Sequence, residues 1–381
     1  MYEFQFEPCA LPPETENLRE EVREFLAKHL SEMPASSRAP TWQGFDPDFS
    51  RKLGEQGWIG MTWPKEYGGH ERSALERYVV LEEMLAAGAP VAAHWIGDRQ
   101  SGPLLLRYGT EEQRQEFLPA IARGEGYYCV GMSEPDSGSD LASMRTKADR
   151  VDGGWIINGS KLWTTHAHRC NQMVALIRTN PDPDSKHNGL SQFLLDVDAE
   201  GVDPRPIRDL SGREHFDEVV FKDAYVPHDR LVGEEGQGWQ QAMAELAFER
   251  SGPERYLSSF LLLRELVREV EPTDRAARRM VGRSVTHMAT LRQMSLSVAG
   301  MLNNGKTPAL EASVVKDLGT TFEQELPELV HGLLGIEPDL EGDTDLSQVL
   351  AYLTQVAPSF SLRGGTREIL RGIISRGLGL R

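Results

Sequence analysis

The stretch that decides the fold is Met132-Ser-Glu-Pro-Asp-Ser-Gly-Ser-Asp140, followed by Trp155-Ile-Ile-Asn-Gly-Ser-Lys-Leu-Trp-Thr-Thr165. The first part predicts a loop, because it follows the apolar run 127–130 and carries glycine and small hydroxyl residues that let main-chain amides face a ligand. The second part predicts a β-hairpin with its turn at Asn158-Gly159, since Asn-Gly between β-forming residues is a strong hairpin signal.

The end of this hairpin is a candidate binding face. Side chains alternate along a strand, so we expect Lys161, Trp163 and Thr165 on one face. An aromatic plane beside a hydroxyl suits a flat heteroaromatic ring with a hydrogen-bonding edge. A core tryptophan flanked by surface threonines fits the same spacing equally well, and spacing alone leaves both interpretations open.

Composition limits the class of protein and of partner. The chain has 381 residues, enough for a large core and more than one domain. Its formal charge of -17 argues against nucleic acid or an anionic membrane surface as a partner. Cys9, Cys129 and Cys170 are far apart and lack metal-ligand spacing, so we expect a reduced, cytoplasmic protein without a metal site. The acidic first residues also lack the basic and apolar segments of a targeting signal.

Apolar periodicity divides the chain into three regions and predicts an α+β fold. Residues 1–120 are expected to form a helical domain that includes a capping box at Thr110 and Gln113. Residues 121–235 change to strand-like runs separated by Gly, Asn, Asp and Pro, which predicts a middle β domain. Residues 236–381 return to helix. A Rossmann fold is excluded, because no Gly-x-Gly-x-x-Gly follows a strand and the strands do not alternate with helices.

The helix predicted after residue 238 carries a carboxylate beside its apolar stripe. The stripe consists of Trp239, Ala242, Met243 and Leu246, and Glu249 lies three residues beyond its end. Such a carboxylate is either an edge residue that reaches water or a base in a dry pocket. For an arbitrary helix the solvated carboxylate is the more common of the two.

The opening stretches resemble the flavin signature of the acyl-CoA dehydrogenase family. The likeness continues, in the family's order, in Trp63-Pro-Lys-Glu-Tyr-Gly-Gly69, in Tyr108-Gly-Thr-Glu-Glu-Gln113 with Leu118-Pro119, and in Gly364-Gly-Thr-Arg-Glu-Ile369. Each motif alone is weak, but five in order over nearly the whole chain are specific. The resemblance implies an N-terminal helical domain, a middle β domain and a C-terminal helical bundle, with FAD as cofactor and an acyl-CoA thioester as substrate.

The reaction that the resemblance implies is α,β-dehydrogenation of the acyl-CoA to the trans-2-enoyl-CoA, and it needs a strong base for the Cα proton. In the commonest subgroup the base is a Glu just before the C-terminal Gly-Thr, where this chain has Gly364. A subgroup resembling the isovaleryl and long-chain dehydrogenases instead uses a Glu directly before an Arg on the helix after the β domain. Glu249-Arg250 matches that pattern, so Glu249 is the expected base, with Glu245 and Glu254 as alternatives.

The same resemblance assigns the residues around the flavin ring. Met132 and Ser133 are expected to offer groups to the ring, and Trp163 to lie against it. Thr165 is expected to hydrogen-bond the reactive edge of the ring. Ser139 is expected to contact the cofactor and also to face the substrate or its coenzyme A arm.

Further residues are assigned to the rest of the cofactor and to the substrate. Gly365, Thr366 and Glu368 are expected near the ribityl-phosphate portion of FAD. Gly364 and Arg250 are expected at the substrate or its coenzyme A arm. A salt bridge from Arg250 to a nearby glutamate is the alternative for that side chain.

The resemblance does not decide between a homo-oligomer and a hetero-oligomer, because two motifs of the family are missing from this chain. Self-sufficient members carry Arg-x-x-Phe-Gly after the catalytic helix and later Gln-x-x-Gly-Gly, both of which contact the adenosine half of a neighbour's FAD. The first motif is absent from residues 267–283 of this chain. Near the position of the second motif the chain has Leu329-Val-His-Gly-Leu-Leu-Gly335 instead. It thus resembles bacterial heteromeric members, in which a second dehydrogenase-like subunit completes each site and substrates are often bulky, such as steroid side chains. In a homo-tetramer an arginine would have to substitute: Arg275, Arg278, Arg279 or Arg283.

Two other functions fit the same resemblance. An oxidase or a monooxygenase can use the same fold, because fold does not fix chemistry. A non-catalytic subunit could complete a partner's site, although the retained Trp163, Thr165 and Glu249 argue against that. For a dehydrogenase, the implied electron acceptor is an electron-transfer flavoprotein.

Overall fold

The structure, a computed structural model, describes residues 4–180 and 185–380, except for the side chains of 245–249. The chain separates into two compact units. The first comprises Met1–Phe45, Arg72–Val91 and Ala247–Arg381, and the second comprises Asp46–Glu71 and Ala92–Leu246. The three-domain boundaries expected from the sequence stay a prediction.

Helices make up the first unit, and the second unit contains helices in addition to its sheet. The helices are α1 (Thr15–Leu30), α2 (Ala35–Arg38), α3 (Pro47–Glu55), α4 (Ala74–Ala87), α5 (Ala92–Ile96), α6 (Gly102–Tyr108), α7 (Glu111–Ala122), α8 (Gly238–Glu249), α9 (Phe260–Glu269), α10 (Arg275–Asn303), α11 (Ala309–Leu334), α12 (Asp345–Val356) and α13 (Arg367–Gly377). Among the described residues, every helix is too short or too polar to span a lipid bilayer.

Local side-chain chemistry sets where several of these helices begin. The predicted capping box at α7 is confirmed: the Thr110 hydroxyl accepts from the Gln113 amide, and the Gln113 side chain accepts from the Thr110 amide. Ser73 and Glu76 form the same box at α4. These reciprocal bonds satisfy amides that have no partner within the helix.

One mixed sheet organises the second unit. Its strands are β1 (Tyr128–Gly131), β2 (Lys147–Val151), β3 (Gly154–Thr165), β4 (Gln172–Arg178), β5 (Leu190–Asp196), β6 (Val202–Arg208), β7 (Glu214–Pro227) and β8 (Leu231–Val232). Within the described residues the order is β6-β7-β3-β2-β4-β5-β8, with β1 parallel to β4. Each strand-like run predicted from the sequence overlaps one of these strands to within a residue, whereas β2, β6 and β8 were not predicted. The helices and the sheet make an α+β fold, as the periodicity predicts.

The turn predicted at Asn158-Gly159 is wrong. The β2–β3 hairpin turns at Asp152-Gly153, where Gly153 has φ of 78°, and β3 runs straight through Asn158 and Gly159. Gly159 is needed there for a different reason, since a Cβ would lie 2.6 Å from the Thr146 hydroxyl. Asn158 exchanges two side-chain hydrogen bonds with Asp223 at an irregularity of β7.

Candidate active site

The loop that begins the site is tied to β3 by a buried ion pair. The Lys161 ammonium donates to Glu134 Oε1 at 2.8 Å and to the Met132 carbonyl at 3.1 Å. Burial lowers the pKa of Lys161 to about 8, although Glu134 acts in the opposite direction. Glu134 also accepts from the Arg145 and Thr146 amides, and together with Lys161 these donors hold the pKa of its carboxyl below the usual value despite burial. The main chain at Met132 is therefore fixed in place.

A β-bulge turns Trp163 outward. β3 advances by three residues between Lys161 and Thr164 while β7 advances by two, from Val219 to Asp217. The extra residue changes the side-chain alternation, so Lys161 is fully buried whereas Trp163 is 57% exposed. The prediction that Lys161 shares a face with Trp163 is therefore wrong.

Trp163 combines exposure with a strained backbone. Its φ of 62° lies in the left-handed region, which costs a bulky residue about 1–3 kcal/mol and persists where the surroundings enforce it. The amide of Leu162 donates to the Ser133 carbonyl at 2.8 Å, which joins the bulge to the loop. Phe216 meets the Trp163 ring edge-to-face at 6.0 Å between centroids. The structure thus brings together the loop at Met132 and Ser133 and the strand end that carries Trp163.

This arrangement fits a flavin ring. The exposed indole of Trp163 offers a flat apolar surface, and Thr165, two residues further on, is partly exposed and carries a hydroxyl. The Ser133 main chain is held beside the bulge. Ser139 is exposed in the same loop, and its assignment to the cofactor or substrate stays a prediction.

In the first unit, the end of α8 meets the glycine turn before α13. Glu249 is the last residue of α8, and its side chain, like that of Glu245, lies outside the described residues. Arg250 follows at once, is 7% exposed, and donates from Nε to the Gly364 carbonyl at 3.4 Å. Arg250 and Gly364, both predicted substrate residues, are therefore neighbours.

The turn at Gly364-Gly365 has a backbone conformation that residues other than glycine adopt only with strain. Gly364 and Gly365 have φ of 65° and 101°, a region that glycine enters without strain. The ammonium of Lys316, which is fully buried, donates to the Gly365 carbonyl. A Cβ on Gly364 would lie 3.3 Å from Arg255 Nη2.

Arg363 anchors the turn from its other side. Its guanidinium pairs with Glu323 Oε2 at 3.1 Å and donates to the Ser258 hydroxyl at 3.0 Å. The Trp42 and Phe360 rings lie 4.3 and 4.4 Å from the guanidinium carbon. Burial raises the pKa of Glu323, and Arg363 opposes that rise.

The remaining predicted residues lie nearby in sequence. Thr366 caps α13, its hydroxyl accepting from the Ile369 amide. The amide of Glu368 and the Thr366 hydroxyl lower the pKa of the Glu368 carboxyl. Their role toward FAD stays a prediction, as does that of Gly365. Glu254, the alternative base, is 2% exposed and has Oε1 3.7 Å from Arg255 Nε.

Sequence reasoning missed several of the groups described above. The Lys161–Glu134 pair was hidden, because strict strand alternation assigns Lys161 to the wrong face. Arg363 and Glu323 lie far apart in the chain, and no local pattern links them. A further histidine group near Trp163 was signalled only by the spacing in Thr165-His-Ala-His168.

Three domain models of one family match the chain in order. They are acyl-CoA dehydrogenase N-terminal domain (residues 12–125), middle domain (129–224) and C-terminal domain (236–379). Among curated relatives, acyl-CoA dehydrogenase IpdE1 of Mycobacterium tuberculosis (strain ATCC 25618 / H37Rv) is 33% identical over 389 residues, covering 96% of this chain and 98% of the relative.

Solved structures agree with that match. The Tcur3481-Tcur3483 steroid ACAD has a TM-score of 0.86 at 28% identity, covering 99% of both chains. The ChsE4-ChsE5 complex from Mycobacterium tuberculosis has a TM-score of 0.84 at 29% identity, covering 98% of this chain and 99% of that chain. With its helical N-terminal, middle β and helical C-terminal parts, the chain belongs to the acyl-CoA dehydrogenase family, FAD-dependent oxidoreductases that act on CH–CH groups.

Proposed function

We propose that the protein converts an acyl-CoA thioester to the trans-2-enoyl-CoA, with Glu249 removing the Cα proton. FAD, when bound, supplies the acceptor for the Cβ hydride. The observation that supports Glu249 is the bond from Arg250 Nε to the Gly364 carbonyl at 3.4 Å. It links the end of α8 to the turn that carries the base in the commonest subgroup, so a carboxylate from either segment can serve the same Cα.

The chain's own residues supply three functions in this proposal. Glu249 accepts the proton, and a dry environment would strengthen it as a base by raising its pKa. Trp163 and Thr165 orient the flavin ring. Arg250 and Lys316 donate to the carbonyls of Gly364 and Gly365, which fixes the backbone of this turn. The thioester oxygen requires hydrogen-bond donors where enolate charge develops.

The direct test is flavin reduction in a single turnover. Glu249→Gln keeps the size and hydrogen bonding of the side chain but cannot accept a proton. We expect FAD absorbance and ligand binding close to wild type, with the reduction rate lowered by roughly 10²–10⁴-fold or more. The matched control is Glu254→Gln, which should still reduce its flavin. Near wild-type reduction in Glu249→Gln, with loss in Glu254→Gln, would transfer the role to Glu254.

The assay substrates follow from the relatives. One similar structure is described as a steroid ACAD, so thioesters of coenzyme A with steroid side chains belong beside short linear acyl-CoAs. We propose a bulky acyl group on this basis. Faster flavin reduction with short linear thioesters than with any bulky one would contradict that choice.

We also propose that a second dehydrogenase-like subunit completes the FAD site. Two similar structures are named as pairs, Tcur3481-Tcur3483 and ChsE4-ChsE5, and this chain lacks both motifs that self-sufficient members lend to a neighbour. FAD content per chain should be low for the protein purified alone and rise on co-expression with a neighbouring gene's product. A homo-tetramer that carries one FAD per chain would exclude the proposal.

An electron-transfer flavoprotein is the proposed electron acceptor. Dehydrogenase activity with that protein, and little peroxide under air, is expected. Stoichiometric peroxide at the full turnover rate would instead identify an oxidase.

A further inference from the structure

Three histidines and an aspartate form a network next to Trp163, all within the second unit. His166 Nε2 and His215 Nδ1 are 3.1 Å apart, and His168 Nδ1 and Asp217 Oδ1 are 2.7 Å apart. His166 and His215 are 6% and 5% exposed, and Asp217 is fully buried. None of these side chains belongs to the proton-transfer chemistry proposed above.

The network braces the strand end that carries the flavin residues. His166, like Trp163, has a positive φ (52°), and its amide donates to the His215 carbonyl at 3.0 Å. The His215 ring packs edge-on against Phe216 at 4.4 Å, and Phe216 in turn meets Trp163. Thr165 pairs with Phe216 in the sheet. Strained conformations persist only where neighbouring contacts enforce them, and these contacts flank both strained residues.

We infer that His166 and His215 are positioning residues that hold Trp163 and Thr165 in the geometry that binds the flavin ring, and that their shared hydrogen bond makes this geometry sensitive to acid. The inference rests on the proposed position of the flavin at Trp163.

The acid sensitivity follows from the chemistry of two imidazoles in contact. One ring must donate through N–H and the other must accept through a lone pair. When both rings carry two protons, two N–H groups and two positive charges face each other in a buried site, so the bond is lost. An ordinary imidazole titrates at about pH 6.5. The second proton must enter a buried site beside an existing positive charge, so the transition should lie below that pH.

The elements that carry the pair, and the strand beside them, contribute other charged groups. The short segment after β3 contributes His168 and Arg169, and β7 contributes Asp217 and Glu214. Arg208 of β6 lies 3.7 Å from Glu214. Burial raises the pKa of the Asp217 carboxyl, and the hydrogen bond with His168 opposes that rise. Burial raises the pKa of the Cys129 thiol, and the charge of Asp217 adds to that rise.

The test follows FAD absorbance and FAD retention from pH 5 to 8 in the flavin-loaded assembly. His215→Ala should shift the flavin spectrum and weaken FAD retention about tenfold at pH 8, because a buried hydrogen-bond partner is lost. His166→Gln keeps a neutral donor and acceptor at the position of Nε2. It should therefore retain FAD as well as the wild type does at pH 8 and lack the acid transition. His331→Gln, on α11 of the first unit, is the matched control and should leave the pH profile unchanged.

The outcomes separate this inference from the proposed flavin position. A wild-type spectrum in Trp163→Ala would overturn the flavin position itself. A changed spectrum in Trp163→Ala, together with a wild-type pH profile in His166→Gln or a wild-type spectrum in His215→Ala, would overturn the role of the histidines alone.

Discussion

The guanidinium of Arg250 donates from Nε to the carbonyl oxygen of Gly364 at 3.4 Å. Arg250 directly follows the proposed base, and Gly364 occupies the position of the base in the commonest subgroup of the family. The bond therefore links the two segments from which a family member can present its carboxylate. Under the proposed assignment, Glu249 supplies the carboxylate that residue 364 lacks.

The first prediction moves the carboxylate from one segment to the other. Gly364→Glu in a Glu249→Gln background should regain part of the flavin reduction rate. Recovery should be incomplete, because φ of 65° costs a non-glycine residue roughly 1–2 kcal/mol and the new Cβ approaches Arg255 Nη2 at 3.3 Å. Single-turnover reduction measures the effect.

The matched control for this rescue is Gly364→Gln in the same background. It carries the same backbone strain and nearly the same volume but cannot accept a proton. Equal rates in the Glu and Gln double variants would mean that residue 364 does not reach the Cα proton.

The second prediction separates flavin binding from stability at Trp163. Trp163→Ala should lower FAD retention and alter the flavin spectrum, while Trp163→Phe should keep part of both because it preserves an aromatic face. The folded apo-protein should lose little stability, since 57% of the side chain is already exposed. Leu210→Ala, at an apolar residue that is 85% exposed, is the control and should change neither property. Unchanged flavin content in Trp163→Ala would contradict the proposed position of the flavin against Trp163.

The third prediction concerns the close approach at Gly159. Gly159→Ala places a Cβ 2.6 Å from the Thr146 hydroxyl and 2.7 Å from the Thr146 Cα, so β2 and β3 must separate. We expect a loss of about 1–3 kcal/mol in the free energy of unfolding and weaker FAD retention, because Thr146 also contacts Glu134. Gly138→Ala is the control, since its Cβ would meet open space. Equal thermal stability of the two variants would contradict the close-approach argument.

The sequence predicted the fold class and most strands because those signals are local. The capping box at Thr110, the β-forming runs and the change of period all lie within short windows. The hairpin signal at Asn158-Gly159 is local as well, yet the turn forms at Asp152-Gly153, which the sequence analysis did not single out. The choice depends on pairing with β7, which lies far along the chain.

The orientation of the candidate site could not be predicted for a related reason. One inserted residue between Lys161 and Thr164 exchanges the faces of the strand, and the bulge is defined only by its register with β7. The histidine network joins the end of β3 to the start of β7, so no single stretch reveals it. The motifs that carry the family resemblance, in contrast, single out candidate flavin residues without requiring the register.

The last prediction concerns stability in alkaline solution and the buried Lys161. Its folded-state pKa of about 8 lies below the usual lysine value of 10.5 because of burial. Between these two values the unfolded chain binds more protons than the folded one, so the lysine's contribution to stability should rise with pH. The free energy of unfolding of the wild type minus that of Lys161→Met should therefore increase from about pH 8 to 10.5, by at most about 1.4 kcal/mol per pH unit. At pH 7 the variant should be destabilised by roughly 3–5 kcal/mol, since Glu134 is left buried without its cation.

The control is Lys147→Met, which removes an exposed lysine of β2. Its free energy of unfolding should differ from that of the wild type by a constant amount from pH 8 to 10.5. Parallel stability curves for wild type and Lys161→Met would show that Lys161 keeps its proton throughout, and that the ion pair with Glu134 outweighs the effect of burial.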